Sequence, residues 1–212
     1  MANPAKKDIQ AAFEAAMAAI RRVHRMPALE PVPVLSDPVM AVGGKYRWDL
    51  ETGRPVDIRL NPSSDHLELT ALLEIGHWLD HQAVGVAGSF ASVTHPRLKE
   101  WREAVLNSRT VERLNDIRDA GALPWRLPDG RRLSIATRAS ADELIRFEEM
   151  FSRSYAQFVS QESGCRVLKG QIRLFSDPAS PWSIVPQYWP EEEFEEIALL
   201  FRRVIVEAGW SK

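Results

Sequence analysis

Three residues with reactive side chains recur at three-residue spacing in one segment of the chain. Glu74, His77 and Asp80 lie at positions i, i+3 and i+6 of the sequence LEIGHWLDH, which begins at Leu73. On a helix this spacing places the three side chains close to one stripe of the surface. A carboxylate and an imidazole on one stripe can bind a metal ion or exchange a proton.

The segment that carries these residues is apolar on nearly every side. A helix is predicted from about residue 66 to residue 82, and its apolar residues are Leu67, Leu69, Leu72, Leu73, Ile75, Trp78 and Leu79. Such a helix belongs in the protein interior. Ionisable groups in the interior must be paired, neutral or bound to a metal. A hydrogen-bonded cluster that fixes the helix in the core is therefore the alternative to a metal site.

The same segment differs by one residue from a known zinc-binding pattern. In H-E-x-x-H helices, two histidines four residues apart hold Zn²⁺, and the glutamate handles the proton of the metal-bound water. Here Glu74 and His77 occupy the glutamate and second histidine positions, whereas Leu73 occupies the first histidine position. Leucine has no lone pair to donate, so such a site would keep two of its three protein ligands. We expect no stoichiometric zinc at ordinary free-metal concentrations.

Apolar periodicity and turn residues predict the elements around this helix within a single domain, residues 1–212. The predicted elements are an N-terminal helix over residues 4–26, a hairpin over about 45–60, one or two helices between 98 and 117, a second site helix over about 141–161 and a C-terminal helix over about 191–208. Four local features are also predicted: capping boxes at Asp65 with Glu68 and at Ser140 with Glu143, a turn-rich connection from Gly121 to Ser134, and a short strand from Gln171 to Phe175.

Composition and charge exclude several classes of partner. The net charge of −2 offers no basic surface for nucleic acid. The single cysteine, Cys165, excludes an internal disulfide and fits a reducing compartment. No secretory signal and no apolar run of the roughly 20 residues needed to span a bilayer is visible. These observations predict a cytoplasmic protein without a membrane partner, and they do not define an oligomeric state.

A second segment, EMFSRSYAQF at Glu149–Phe158, extends the pattern. Together with LEIGHWLDH it resembles the HExxH zinc metallopeptidases whose third metal ligand is a glutamate on a later helix, the gluzincin-type arrangement. The nearest likenesses are bacterial and phage-associated proteins that carry HEIGHxxD followed by E-x-F-A-R-A-Y-A-Q. The protease domain of anthrax lethal factor is a more distant likeness.

The resemblance implies a role for each matching residue. Glu74 is expected to be the general base, His77 a zinc ligand and Glu149 the remaining protein ligand. Glu148 is the rival to Glu149, and the motif alignment favours Glu149. Asp80 is expected to support the site from outside the set of metal ligands.

The resemblance also implies an α+β fold, a mostly helical zincin-like metallopeptidase domain with a small antiparallel sheet beside the active-site helix. The strand Val56–Leu60 is expected to form the edge along which a peptide substrate lies. An intact site would use zinc as its cofactor and would hydrolyse peptide bonds with zinc-bound water activated by Glu74. Because Leu73 replaces one ligand, the expected function is an impaired metallopeptidase or, alternatively, a non-catalytic module that binds a peptide or partner protein.

Other histidines offer little to replace the missing ligand. His81 lies four residues after His77, so this pair could hold a metal, but the site would move one turn along the helix and leave Glu74 behind it. Three further histidines carry no spacing argument: His24, His66 and His95.

Overall fold

The computed structural model describes residues 8–126, 132–175, 180 and 183–212 as an α+β protein that combines helices with a three-stranded sheet and a two-stranded sheet. The first helix, α1, spans Ile9–Val23, within the predicted range of 4–26, of which residues 4–7 lie outside the described residues. The Asp8 carboxylate accepts hydrogen bonds from the backbone N–H groups of Gln10 and Ala11 and so caps the first turn.

A three-stranded sheet follows α1. Its strands are β1 (Val34–Ser36), β2 (Gly44–Trp48) and β3 (Pro55–Leu60), in the spatial order β1-β3-β2. The predicted hairpin is confirmed, because β2 and β3 pair antiparallel, with Tyr46 opposite Ile58. The expected small antiparallel sheet is mixed in the structure, since β1 pairs parallel with β3.

The position of the free sheet edge also differs from the expectation. The predicted edge, Val56–Leu60, lies in β3, which is the central strand with a neighbour on each side. The two edge strands of this sheet are β1 and β2. The backbone N–H of Tyr46 points away from β3, because it donates a hydrogen bond to the Glu74 carboxylate.

The predicted central helix is confirmed as α2, Leu67–Gln82. Its buried residues lie on all sides, as expected for a helix in the interior. The predicted capping box is wrong: His66 is the N-cap residue, and its side chain makes no capping hydrogen bond. The Glu68 carboxylate instead accepts a hydrogen bond from the side-chain amide of Gln171.

The middle of the chain is helical up to a second hairpin. It contains α3 (Ala91–Thr94), a 3₁₀ turn (Pro96–Leu98), α4 (Lys99–Leu106), α5 (Arg109–Ala120), β4 (Ala122–Arg126) and β5 (Arg132–Ala136). Gly121 ends α5 with a φ of +75°, where glycine is favoured. The predicted turn-rich connection is wrong in its described part, because β4 and β5 pair antiparallel there.

The predicted second site helix is divided into two. They are α6, Arg138–Leu144, and α7, Phe147–Glu162. Arg146 is extended, with a φ of −69° and a ψ of 142°, so its backbone begins a new helix. The predicted capping box at Ser140 and Glu143 is wrong, because both residues lie inside α6.

Two helices complete the fold. The predicted strand from Gln171 to Phe175 is wrong, because its first four residues belong to α8, Arg166–Leu174, which buries Leu168 and Gln171 at three-residue spacing. The predicted C-terminal helix is confirmed as α9, Glu191–Glu207. Among the described residues, no helix is both long and apolar enough to cross a bilayer.

Candidate functional site

The helices α2 and α7 touch closely at one glycine. A Cβ atom added to Gly76 would lie 3.1 Å from the Cα atom of Ser152, so a larger residue would push the two helices apart. The Ser152 hydroxyl donates a hydrogen bond of 2.9 Å to the backbone carbonyl of Leu73. This close contact brings the His77 turn of α2 against the first turns of α7.

The two predicted metal ligands meet at this contact. The Nε2 atom of His77 lies 3.5 Å from the Oε1 atom of Glu149, and their side chains are 13% and 16% exposed. Glu148, the rival, instead has its carboxylate 3.6 Å from the Arg146 guanidinium. Burial lowers the pKa of His77, so its imidazole is neutral near pH 7 and keeps a lone pair that could bind a metal.

The Glu149 carboxylate is already held by two arginines. The Nη2 atom of Arg153 lies 3.2 Å from Oε2, and the Nη2 atom of Arg146 lies 3.5 Å from Oε1. Burial would raise the pKa of Glu149, but its electrostatic interactions with the neighbouring His77, Arg153 and Arg146 side chains outweigh burial and hold this pKa below its usual value. Arg153 was not predicted as a site residue, although its spacing of four from Glu149 on a helix is typical of an ion pair.

Glu74, the predicted general base, is held by the sheet. Its Oε2 atom accepts a hydrogen bond of 2.6 Å from the backbone N–H of Tyr46 in β2. A Cβ atom added to Gly44 would lie 2.8 Å from the Oε1 atom of Glu74, so glycine allows this close approach. Burial, together with the charge of Glu149, raises the pKa of Glu74 to about 8. Glu74 is therefore mostly protonated at pH 7, and its carboxyl joins the edge strand to α2.

Asp80 supports the loop after α2. Its two carboxylate oxygens accept hydrogen bonds of 2.7 Å and 2.5 Å from the backbone N–H and the hydroxyl of Ser92 in α3. Burial raises the pKa of Asp80 to about 7, and the hydrogen bonds from Ser92 oppose that rise. No described hydrogen bond joins Asp80 to His77, so any support that it gives to the site is indirect.

The other histidines lie in separate environments. The Nδ1 atom of His81 is 2.9 Å from the Tyr46 hydroxyl and 2.8 Å from the side-chain nitrogen of Gln82. His24 is fully buried, with its Nε2 atom 2.9 Å from the Tyr155 hydroxyl. Burial lowers the pKa of both His24 and His81. His95 accepts a hydrogen bond from the backbone of Arg97, and the ring of His66 packs edge-on against Phe175.

Aromatic side chains border His77 on the side of the sheet. The Phe90 ring lies edge-on to the His77 ring, with centroids 6.4 Å apart. The centroids of the Phe90 and Trp48 rings are 5.1 Å apart. Both Phe90 and Trp48 are partly exposed. They offer an apolar surface between His77 and the β2 edge.

The donor set does not fit a catalytic zinc ion. A catalytic zinc site needs three protein ligands. Among the described residues, no group of three or more histidine, cysteine, aspartate and glutamate side chains could hold a metal. Leu73 is partly buried and packs against the core at the position that corresponds to the first histidine of the motif. One of the two predicted ligands, Glu149, is already paired with Arg153.

No family model, curated protein or solved structure matches the chain. Its function must therefore be inferred from the residues of this site.

Proposed function

We propose that this chain is a zincin-like protein of metallopeptidase ancestry that has lost catalysis and binds a peptide or a partner protein in the former substrate cleft. The observation that carries the proposal is the contact of 3.5 Å between His77 and Glu149, the two residues that the resemblance assigns as metal ligands. A metallopeptidase that keeps weak activity is the second candidate, and it is favoured only by the presence of Glu74 on the same helix.

The distance between the two side chains supports the ancestry. Two ligand atoms about 2.1 Å from one zinc ion lie about 3.4 Å apart in tetrahedral geometry. The Nε2 atom of His77 and the Oε1 atom of Glu149 are separated by 3.5 Å, although 71 residues of sequence lie between them. This separation matches the spacing that a shared metal ion would require, and the match supports the proposal.

Three features argue against hydrolysis. Leu73 supplies no lone pair at the first ligand position. The Arg153 cation is bound to Glu149, so a metal ion would have to compete with a guanidinium for this carboxylate. The pKa of Glu74 is raised to about 8, so its carboxyl, which accepts a hydrogen bond from Tyr46, is mostly protonated at pH 7, and a protonated carboxyl cannot accept a proton from water.

The surface around His77 supports a binding role. The β2 strand lies at the edge of the sheet, where an extended peptide can add as a further strand through the backbone groups other than the Tyr46 N–H, which Glu74 occupies. Phe90 and Trp48 present partly exposed rings beside this edge, and aromatic rings are enriched in binding surfaces. An extended peptide with an apolar side chain directed at these two rings fits this surface.

Restoring the missing ligand tests the ancestry. We expect Leu73→His to bind zinc at one ion per chain in a calorimetric titration, whereas the natural chain binds none under the same conditions. The second substitution Glu149→Ala in the same chain should abolish that binding. Leu199→His is the matched control, because it adds a histidine at an exposed position of α9. A folded Leu73→His protein that binds no zinc would refute the ancestry.

A separate assay distinguishes a binding module from an enzyme. The natural chain should release no fragments from a mixed peptide library, and it should retain peptides in equilibrium dialysis. Cleavage that disappears in Glu74→Gln would establish the enzyme and contradict the proposal.

A further inference from the structure

The last turns of α2 hold the loop that carries Phe90. The Asp80 carboxyl group is fully buried, and its two oxygens accept hydrogen bonds from the backbone N–H of Ser92, at 2.7 Å, and from its hydroxyl, at 2.5 Å. Ser92 is itself fully buried in α3. The next residue of α2, His81, uses its backbone carbonyl to accept a hydrogen bond of 3.0 Å from the N–H of Gly88.

These two anchor points lie on either side of Phe90. Gly88 is two residues before Phe90, and Ser92 is two residues after it. The backbone of Phe90 is extended, with a φ of −68° and a ψ of 111°, and α3 begins at the next residue. Because each residue has only two soft dihedral angles, so short a segment has little freedom between its anchors. The position of Ser92 therefore sets the direction of the Phe90 ring.

The Phe90 ring lies among the aromatic side chains of the proposed binding surface. Its centroid is 5.1 Å from that of Trp48, 4.8 Å from that of His81 and 6.4 Å from that of His77. His81 is buried, whereas Phe90 and Trp48 are partly exposed, so a bound side chain would meet these two rings. The shape of that surface depends on where the Phe90 ring is held.

A second contact keeps α3 attached to the fold. The Nη1 atom of Arg102 in α4 donates hydrogen bonds to the backbone carbonyls of Ser92 and His95, at 3.2 Å and 3.1 Å. Replacing Asp80 therefore removes the contact that orients the start of α3 but leaves the contact with its carbonyl groups. The loss of Asp80 should free the Phe90 ring without detaching α3.

We propose that Asp80 is a positioning residue for Phe90, and that it acts on peptide binding by holding the Phe90 ring beside Trp48. This inference rests on the proposed binding function and deepens it, because it names the residue that maintains the aromatic surface. The resemblance assigns Asp80 to the support of a metal ligand, whereas its hydrogen bonds to Ser92 lead to the Phe90 loop.

NMR spectra of the full chain without ligand test the position of the ring. The natural chain should show nuclear Overhauser effects between the ring protons of Phe90 and Trp48, and Asp80→Ala should lose them. Asp80→Asn should retain them, because its amide oxygen can still accept from the Ser92 N–H and its amide N–H can donate to the Ser92 hydroxyl. Ser92→Ala keeps the backbone hydrogen bond to Asp80, so this milder variant should reduce the intensity of these effects even if Asp80→Ala does not fold.

Glu193→Ala is the matched control for a general loss of stability. The Glu193 carboxylate in α9 accepts hydrogen bonds from the backbone N–H and the hydroxyl of Thr110, at 3.3 Å and 2.6 Å, at the start of α5. It thus makes the same kind of contact with another helix as Asp80 makes with Ser92. Glu193→Ala should destabilise the chain but keep the effects between Phe90 and Trp48.

Peptide selectivity tests the consequence for binding. The probes are two pentapeptides with blocked ends that differ only in a central phenylalanine or alanine. The natural chain should bind the phenylalanine peptide at least about fivefold more tightly, because an aromatic side chain gains from contact with the two rings. Asp80→Ala and Phe90→Ala should each reduce this preference to less than about twofold, whereas Asp80→Asn and Glu193→Ala should keep it.

Three results would overturn the inference. Asp80→Ala could keep the effects between Phe90 and Trp48, Glu193→Ala could lose them as Asp80→Ala does, or Asp80→Ala could retain the preference for the phenylalanine peptide. Failure of the natural chain to bind either peptide would instead contradict the proposed binding function. The spectra without ligand would still decide whether Asp80 positions Phe90, so the two proposals can fail separately.

Discussion

Replacing Glu74 with glutamine tests whether this buried carboxyl is held in its protonated form. Its pKa rises from 4.5 to about 8 in the folded chain, chiefly because of burial. A carboxyl whose folded pKa exceeds its unfolded pKa stabilises the fold most below the unfolded value. The natural chain should therefore lose stability as pH rises from 4.5 towards 8, and then level off.

The expected change in the free energy of unfolding follows from the size of the pKa shift of Glu74. At about 1.4 kcal/mol per pH unit, the free energy of unfolding should fall by about 3 kcal/mol between pH 4.5 and pH 7 through Glu74 alone. Glutamine does not titrate, so this loss should be absent in Glu74→Gln. The glutamine oxygen can still accept the hydrogen bond from Tyr46, while the extra amide N–H adds a penalty of about 1 kcal/mol that is the same at every pH.

Urea unfolding at several pH values measures this difference. The free energy of unfolding of Glu74→Gln minus that of the natural chain should increase steadily between about pH 5 and pH 8. Glu195→Gln is the control, because Glu195 is exposed on α9 and its substitution should give no such increase. A difference that is constant with pH, or that decreases as pH rises, would refute the assignment of Glu74 as a protonated structural group.

Three further substitutions probe the supports of the site. Gly76→Ala should lower the free energy of unfolding by about 1–3 kcal/mol, because its Cβ atom would lie 3.1 Å from the Ser152 backbone. Unchanged stability in urea would contradict the close contact between α2 and α7. The free energy of unfolding of Asp80→Asn, relative to that of the natural chain, should increase by on the order of 3 kcal/mol as pH rises from about 4 to 7. A difference that does not change with pH would contradict the raised pKa of Asp80. Tyr188→Phe should leave the free energy of unfolding unchanged or higher, because the Tyr188 hydroxyl has no hydrogen-bond partner among the described residues. Tyr155→Phe should lower the free energy of unfolding by about 1 kcal/mol, because the Tyr155 hydroxyl is hydrogen-bonded to His24, and equal losses in urea would contradict this difference.

The sequence predicts those features that depend on local patterns. The apolar run of α2 and the alternation of β2 and β3 gave the correct elements, because periodicity reports directly which faces are buried. The pairing of His77 with Glu149 was predicted through the resemblance. Periodicity alone did not separate Glu149 from Glu148, since neighbouring residues on a helix differ by only 100° in direction.

Features that depend on tertiary contacts were beyond the sequence. The strand order that makes β2 the edge depends on where β1 pairs, and no local signal specifies this. The hydrogen bond from Tyr46 to Glu74 joins residues 28 positions apart through a backbone group, which carries no residue-specific signal. The sequence therefore does not predict that the Glu74 carboxyl is bonded to the sheet. The break at Arg146 was missed because its apolar neighbours continue the helical pattern.

We propose that α2 and α7 derive from a metal site that lacks one ligand, and crystals of Leu73→His grown with zinc test this proposal most directly. Anomalous scattering should locate one zinc ion about 2.0–2.2 Å from the introduced imidazole, from the Nε2 atom of His77 and from a carboxylate oxygen of Glu149. This result would establish the ancestry of the site. A folded variant with no zinc, or with zinc bound away from His77 and Glu149, would contradict it.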